Sequence, residues 1–222
     1  MFDRLIALIG IDNLNKIRKN KILLLGVGGV GGYVAEALVR SGIENLTIVD
    51  KDTIDETNLN RQIIALKSTI GKPKVEVLKN RLEDINPDAR IVPLKENITE
   101  DLASLKLEDY DYILDCIDDL KVKVALAKYC LDKKLKLIIS TGTAKKMDPS
   151  KLEMTTLDKT SYDPLARRLR SSLKGYDTHK LKVLASTEAP IETENDVLGS
   201  TAFVPSSGGL LIASYVIREI IK

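Results

Sequence analysis

Tryptophan is absent from this chain, histidine occurs once, and phenylalanine and cysteine occur twice each. Each scarcity excludes something. Two cysteines, Cys116 and Cys130, with no Cys-x-x-Cys pair, cannot build a disulfide framework or a four-cysteine zinc site. The lone histidine, His179, lies in a hydrophilic tract and reads as a solvated surface residue rather than a proton relay. Charge of one sign is lacking too, since a formal net charge of +2 is too small to specify a partner. Met1-Phe2-Asp3-Arg4 has no cationic stretch leading into an apolar cleavable segment, so no signal peptide is indicated and a cytoplasmic location is expected. One charge-free stretch, Leu198 to Ile217, is about as long as a membrane span. Pro205, Ser206, Ser207, Gly208 and Gly209 interrupt it, which predicts a short strand, a loop and a C-terminal core helix, with no membrane association.

What is present is the composition of a soluble globular protein, 44% hydrophobic and 30% charged over 222 residues, enough for one larger domain with a substantial core. Lys21–Leu25 is a continuous apolar run that suits a strand buried on both faces. A helix over Tyr33–Ser41 follows, closed by Gly42, then a strand over Leu46–Asp50 and a helix over Lys72–Ile85 ended by Asn86-Pro87. Strands are expected at Arg90–Leu94, Tyr112–Ile117 and Leu137–Thr141, with a helix over Leu120–Leu131 before the last of these. This alternation predicts an α/β, Rossmann-like fold, a mostly parallel sheet covered by helices on both faces. Beyond Thr141 it fades into a short strand at Leu152–Leu157, an arginine-rich helix, a polar stretch and the final helix. Residues 1–145 are therefore expected to form the α/β core, and 146–222 an extension of the same domain on its substrate side.

The turn Gly26-Val27-Gly28-Gly29-Val30-Gly31 follows the first strand with G-x-G-x-x-G spacing. Such glycines permit a tight turn, let the backbone approach phosphate and allow the next helix to pack closely on the strand. The helix N-terminus then offers free N–H groups and a positive dipole end to an anion. Asp50, 24 residues after Gly26 and at the end of the second strand, is placed to accept hydrogen bonds from a ribose. The pattern by itself does not choose between NAD and ATP. A dehydrogenase would also need a hydride-transfer residue and a second mononucleotide-binding half, and no catalytic histidine is found.

Downstream come Asp52, Thr57-Asn58-Leu59-Asn60-Arg61-Gln62, Gly71-Lys72-Pro73-Lys74 and Asp115-Cys116-Ile117-Asp118-Asp119. With the glycine turn, this order resembles the adenylating superfamily of ubiquitin-activating enzymes and their bacterial relatives, the ThiF- and MoeB-type activators of sulfur-carrier proteins. The resemblance implies ATP on Gly26, Gly28, Gly29, Val30 and Gly31, and Asp50 on its ribose. Asp52 and Gln62 join that site, while Asn58, Arg61 and Lys74 line the phosphates. It further implies Asp118 beside Mg2+, and a homodimer in which Arg4 reaches the partner's nucleotide. The residue types suit attack of a carboxylate oxygen on an α-phosphate, where fixed cations stabilise the charge that gathers on the phosphoryl oxygens. Simpler roles stay open: Arg4 as a plain surface arginine, and Asp118 or Asp119 as a helix N-cap.

Ubiquitin-type activators carry a catalytic cysteine. Here Cys116 is expected inside a strand and Cys130 inside a helix, where cysteine behaves as a small buried hydrophobe. The segments Ile138–Ala144, Asp158–Ala166, Ser186–Pro190 and Leu198–Ala202 are similar to the branch of tRNA threonylcarbamoyladenosine dehydratases, which extends the resemblance over nearly the whole chain. It implies ATP-dependent activation of the threonyl carboxylate of threonylcarbamoyladenosine in tRNA, followed by ring closure within the same side chain and net loss of water. It also admits sulfur-transfer proteins as partners. An intramolecular nucleophile needs little beyond positioning. Asp163 can cap the helix Asp163–Lys174, and Pro164 suits its first position. Leu165, Leu169 and Leu173 make its buried stripe, which sets Arg167, Arg170 and Lys174 opposite and Arg168 at the flank, a face suited to RNA. Lys145–Lys182 holds ten Lys/Arg against five Asp/Glu, and Glu188–Asp196 four acids and no base. An activator of a sulfur-carrier or ubiquitin-like C-terminus, and a non-catalytic nucleotide-binding module, are the competing functions.

Overall fold

A computed structural model of the chain describes residues 1–192 and 198–222. Two acids of the Glu188–Asp196 run, Glu194 and Asp196, lie outside the described residues. Two short helices, α1 (Asp3–Ile9) and α2 (Ile11–Lys19), lead into the central strand β1 (Lys21–Leu25). Then follow α3 (Gly31–Arg40), β2 (Asn45–Val49), α4 (Lys74–Ile85), β3 (Arg90–Leu94), β4 (Tyr112–Asp115), α5 (Leu120–Lys133) and β5 (Leu137–Ser140). The remainder supplies β6 (Leu152–Thr156), α6 (Pro164–Ser172), β7 (Lys182–Ser186) and α7 (Phe203–Ile221).

The strands form one sheet in the order β3-β2-β1-β4-β5-β7-β6, parallel throughout except for the antiparallel β6–β7 pair. The expected fold class holds. In β1 the side chains alternate: Ile22 and Leu24 join the core beneath α3, α4 and α7, while Leu23 and Leu25 join the one beneath α5 and α6. A strand buried on both sides therefore reads as an unbroken apolar run. Pro93 sits in β3, an edge strand, where its missing N–H leaves no ladder bond unmade.

Two expectations for the C-terminal third need correction. The Lys182–Ser186 segment is β7 rather than a polar stretch, lying parallel to β5 and antiparallel to β6. Its apolar run, Val183-Leu184-Ala185, is too short to declare itself, and its partners come from distant sequence. The second concerns Phe203–Ile221, one continuous helix through Pro205, Gly208 and Gly209. Pro205 falls in the first turn, where a helix N–H has no intrahelical acceptor, so its ring costs no bond. The glycines are contact points. A Cβ on Gly208 would stand 2.6 Å from Leu184 Cδ2, and one on Gly209 only 2.6 Å from the Val30 carbonyl oxygen and 2.9 Å from Tyr33 Cβ. Helix α7 is long and apolar enough to cross a membrane by length and composition. It buries Val204, Ile212 and Val216 against the fold, each such side chain contributing roughly 1.5–3 kcal/mol. Through Gly209 it also presses on the start of α3.

Candidate active site

The sheet order reverses at β1: the chain runs outward to β2 on one side and to β4 on the other. At such a switch point the loops after the strands diverge and leave a crevice. A cavity of about 450 Å3 lies there, bounded by the glycine turn after β1, Asp50–Asp52 after β2, Asn58–Gln62, Lys74, Glu96–Ile98 after β3, Cys116–Asp119 after β4 and Thr143–Ala144 after β5.

The glycines of the turn divide by mechanism. Gly26 has φ +84, and a Cβ on it would lie 2.8 Å from the Cys116 carbonyl oxygen. On Gly31 it would lie 1.9 Å from the Gly26 carbonyl oxygen, which no real side chain tolerates. Gly28 and Gly29 are different: their added Cβ atoms would have nearest neighbours at 3.7 Å (Gln62 Nε2) and 3.4 Å (Pro205 Cβ). The protein's own packing therefore requires glycine at 26 and 31, whereas the backbone at 28 and 29 is bare toward the cavity. No side chain caps α3; the Gly32 and Tyr33 N–H groups donate to the Gly28 and Val30 carbonyls at 3.1 Å each, which leaves the N–H groups of Gly29, Val30 and Gly31, unbonded among the described residues, for an anion.

Asp50 holds this turn to β2. One carboxylate oxygen accepts the Val27 N–H at 2.9 Å and the other the Asp52 N–H at 2.9 Å, while the group lines the cavity. Lys74, at the first position of α4 and only 6% exposed, pairs with Asp52 at 2.9 Å. Asn58 is buried in a reciprocal cap: its Oδ1 accepts the Asp55 N–H at 3.1 Å, and Asp55 accepts the Thr57 N–H at 2.8 Å. Arg61 donates from Nη1 to the Thr57 carbonyl and to Asn60 Oδ1, both at 2.9 Å, which fixes its planar fork, while its Cγ and Cδ lie beside Gly29. Gln62 is buried, with Oε1 unpartnered among the described residues. Asn60 ties this segment to the C-terminal part by donating to the Ser200 carbonyl at 3.1 Å.

After β4 the two adjacent acids split their roles. Asp119 caps α5, accepting the N–H groups of Lys121 at 2.7 Å and Val122 at 3.3 Å. Asp118 is exposed on the cavity wall and has no hydrogen bond among the described residues. Beneath them, Lys123 donates to Asp115 at 2.9 Å and to the Ser140 carbonyl at 2.9 Å, with both side chains of the pair wholly buried. Burial raises the Asp115 carboxyl above its ordinary range despite the Lys123 ammonium. Cys116 is a correction of detail, because β4 stops at Asp115 and the thiol lies just beyond the strand, at the cavity. Burial, helped by the Asp115 charge, pushes its pKa up to about 12. Cys130 is likewise pushed up to about 12 by burial. Neither is a thiolate nucleophile at neutral pH.

The structure thus brings together on the cavity wall the residues that the sequence assigned to the nucleotide, as well as Asp118, except Gly31, which is buried behind the turn against the Gly26 carbonyl. Arg4 is not among them; it is exposed on α1, away from the cavity walls of its own chain. On α6, Asp163 caps the helix as expected, accepting from Leu165 and Ala166 at 2.9 and 3.0 Å. Arg167, Arg168 and Lys174 are exposed. Arg170 instead turns inward and donates to the Leu157 and Thr160 carbonyls at 3.1 and 2.8 Å, since the helix's apolar stripe is rotated onto Ala166, Leu169 and Leu173. His179 is a surface residue beside Asp158 at 2.9 Å. Sequence reasoning missed Lys51, Asn97, Thr143 and Ser200 on the cavity wall. The rule that ligands sit at the carboxyl ends of strands would have pointed to the first three.

Comparison with known proteins bears on the same site. A family model, the ThiF family, matches residues 2–217. A tRNA threonylcarbamoyladenosine dehydratase of Bacillus subtilis is 38% identical over 241 residues, spanning 100% of this chain and 94% of that protein. The Escherichia coli protein of the same name is 41% identical over 154 residues, 69% of this chain and 58% of its own length. The crystal structure of E. coli TcdA in complex with ATP matches with a TM-score of 0.93 at 32% identity, covering 99% of this chain and 93% of that one.

Proposed function

The chain belongs to the ThiF family, and from that premise we propose that it uses ATP to adenylate the threonyl carboxylate of threonylcarbamoyladenosine in tRNA, which then cyclises with net loss of water. One observation carries the reading: Gly28, Gly29, Asp50, Asn58, Arg61, Gln62, Lys74 and Asp118 converge on one cavity, in a chain whose sequence matches the B. subtilis dehydratase, and whose fold matches E. coli TcdA, over more than nine-tenths of their lengths.

In this reading the bare backbone at Gly28–Gly29 and the unbonded N–H groups of Gly29, Val30 and Gly31 receive the phosphates, and Asp50 offers its remaining lone pairs to the ribose. A carboxylate oxygen of the substrate attacks the α-phosphorus and pyrophosphate departs, leaving an acyl adenylate. Arg61 and Lys74 stabilise the charge on the phosphoryl oxygens, Arg61 by its held fork and Lys74 as a point charge steadied by Asp52. A nucleophilic atom of the same side chain then attacks the acyl carbon, releases its proton to solvent, and AMP leaves. Nucleophile and electrophile are already tethered, so no cysteine is required, in keeping with the raised Cys116 thiol.

The donor set fits a magnesium ion of the kind held by one or two carboxylates plus substrate phosphates. Among the described residues no cluster of three metal-binding side chains occurs, and Asp118, like Glu96, is a wall carboxylate with no partner among them. Asp118 would hold the ion, which would neutralise phosphate charge. We further propose a homodimer in which Arg4 serves the partner's cavity. Helix α1 buries none of its residues and leaves Leu8 81% exposed, which supports an intersubunit contact. Arg167, Arg168 and Lys174 form the face offered to the tRNA backbone.

The test is nucleoside analysis of tRNA from cells lacking this protein, complemented with the wild type, Arg61→Ala or Lys74→Ala. The wild type restores the cyclised nucleoside and neither variant does while remaining folded. Restoration by both variants would sink the phosphate assignments.

A further inference from the structure

A second, open cleft of about 250 Å3 is walled by Tyr162, Asp163, Pro164, Arg167, Arg170 and Pro190. Asp163 joins it to the nucleotide cavity. While one oxygen of this buried carboxylate caps α6, the other accepts the Gly142 N–H at 2.8 Å, and the next residue, Thr143, lines the nucleotide cavity. No residue lines both clefts, but this one hydrogen bond ties the wall of the second to the residue before Thr143 on the wall of the first. Arg170, held by the Leu157 and Thr160 carbonyls, fixes the adjoining side.

Tyr162 is the feature the fold leaves unexplained. The residue is 63% exposed, and its backbone φ is +52, a region that non-glycine residues seldom occupy. Core packing does not use the ring, and the backbone conformation favours glycine, so packing and propensity alike argue against tyrosine here. At the mouth of the cleft the ring forms a flat apolar face. Pro164 and Pro190 add apolar walls, and Arg167 leaves a cation at the rim. An aromatic face with a guanidinium at its edge suits an unpaired nucleobase and its phosphate. The basic excess of Lys145–Lys182, ten against five, supplies the matching field.

We propose that this cleft is a subsite for the unpaired RNA base next to the nucleoside being activated, with the Tyr162 ring stacking on the base and Arg167 contacting the phosphate between the two. The inference rests on the function proposed above. A nucleotide joined to the reacting one by a single phosphodiester must settle close to the nucleotide cavity, and the cleft tied to that cavity by the Gly142–Asp163 hydrogen bond is placed to take it.

The test compares cyclisation kinetics of the purified wild type, Tyr162→Phe, Tyr162→Gly and Arg167→Gln on tRNA carrying the modified nucleoside, and on that nucleoside alone. Glycine relaxes the positive φ, so Tyr162→Gly removes the ring without endangering the fold. Its KM for tRNA is expected to rise about tenfold or more, as loss of one base–aromatic stack does, with kcat and the KM for ATP unchanged. Tyr162→Phe stays near wild type, and Arg167→Gln raises the KM for tRNA and flattens its salt dependence. On the isolated nucleoside, which has no neighbouring base, wild type and Tyr162→Gly react alike. Equal KM values for tRNA in an active wild type and in Tyr162→Gly would overturn the subsite and leave the proposed function standing. So would an equal loss on the isolated nucleoside, which would put the ring at the reacting nucleotide. A wild type inactive on both substrates would overturn both inferences.

Discussion

The Lys123 ammonium lies 2.9 Å from Asp115 Oδ1, and neither side chain has any exposure to solvent. The pair joins the end of β4 to α5 and, through the Ser140 carbonyl, to the end of β5. It thereby underpins the turn that carries Asp118. Removing one partner leaves a buried charge uncompensated, so Lys123→Met is expected to destabilise the fold by roughly 3–5 kcal/mol. The double variant Lys123→Met/Asp115→Leu recovers part of that loss, and denaturant unfolding measures both. A double variant as unstable as the single would show that packing, not charge, sets the loss.

Glycine substitutions separate folding from nucleotide binding. Gly31→Ala forces a Cβ to 1.9 Å from the Gly26 carbonyl oxygen and should leave little folded protein. Gly28→Ala has 3.7 Å of room, so its thermal midpoint stays close to wild type. Its methyl group occupies the surface meant for phosphate, and ATP affinity measured by calorimetry is expected to fall about tenfold. Wild-type ATP affinity in Gly28→Ala would move the phosphates off this turn.

Glu36 makes an acid-sensitive contribution to stability. Burial by itself would raise its carboxyl, but Arg81 at 2.6 Å and Arg40 at 2.9 Å outweigh that and hold it below the ordinary 4.5. A carboxyl depressed in the folded state contributes stability above its unfolded pKa and loses it as pH falls through the folded value. Below about pH 4.5 the wild type should therefore lose stability more steeply than Glu36→Gln. Parallel unfolding curves against pH would remove the α3–α4 ion pairs from the account.

Cys116 borders the cavity, yet its pKa of about 12 keeps it protonated. Cys116→Ala is expected to retain kcat within about twofold, and iodoacetamide should leave the wild type active. Loss of a hundredfold or more in activity would instead favour thioester chemistry and a sulfur-carrier or ubiquitin-like substrate.

How far the sequence carried these conclusions depended on whether a local rule governed each residue. Strands β1, β4 and β5 were legible because burial on both faces leaves a continuous apolar run, and β2 because only Thr47 interrupts its own. The cap by Asp163 and the glycine turn were legible because spacing alone defines them. Strand β7 was not, since its partners β5 and β6 are remote in sequence and its own run is short. Helix α7 was misread because Pro205 and two glycines break helices by propensity. Their tolerance depends on first-turn placement and on the approach of Leu184 and Val30. The inward turn of Arg170 also lay beyond the sequence. Helical spacing gives a direction, and only the carbonyls of Leu157 and Thr160 show where the guanidinium ends.

The central claim is that the activated group is a carboxylate on tRNA. The most direct measurement incubates the purified chain with ATP labelled at the α-phosphate, Mg2+ and tRNA carrying threonylcarbamoyladenosine, and counts AMP against cyclised nucleoside. The expected result is one AMP per ring closed, none with tRNA lacking the modification, and loss of roughly a hundredfold or more in rate for Lys74→Ala. AMP formation that requires a diglycine-ended carrier protein and ignores the tRNA would contradict the account.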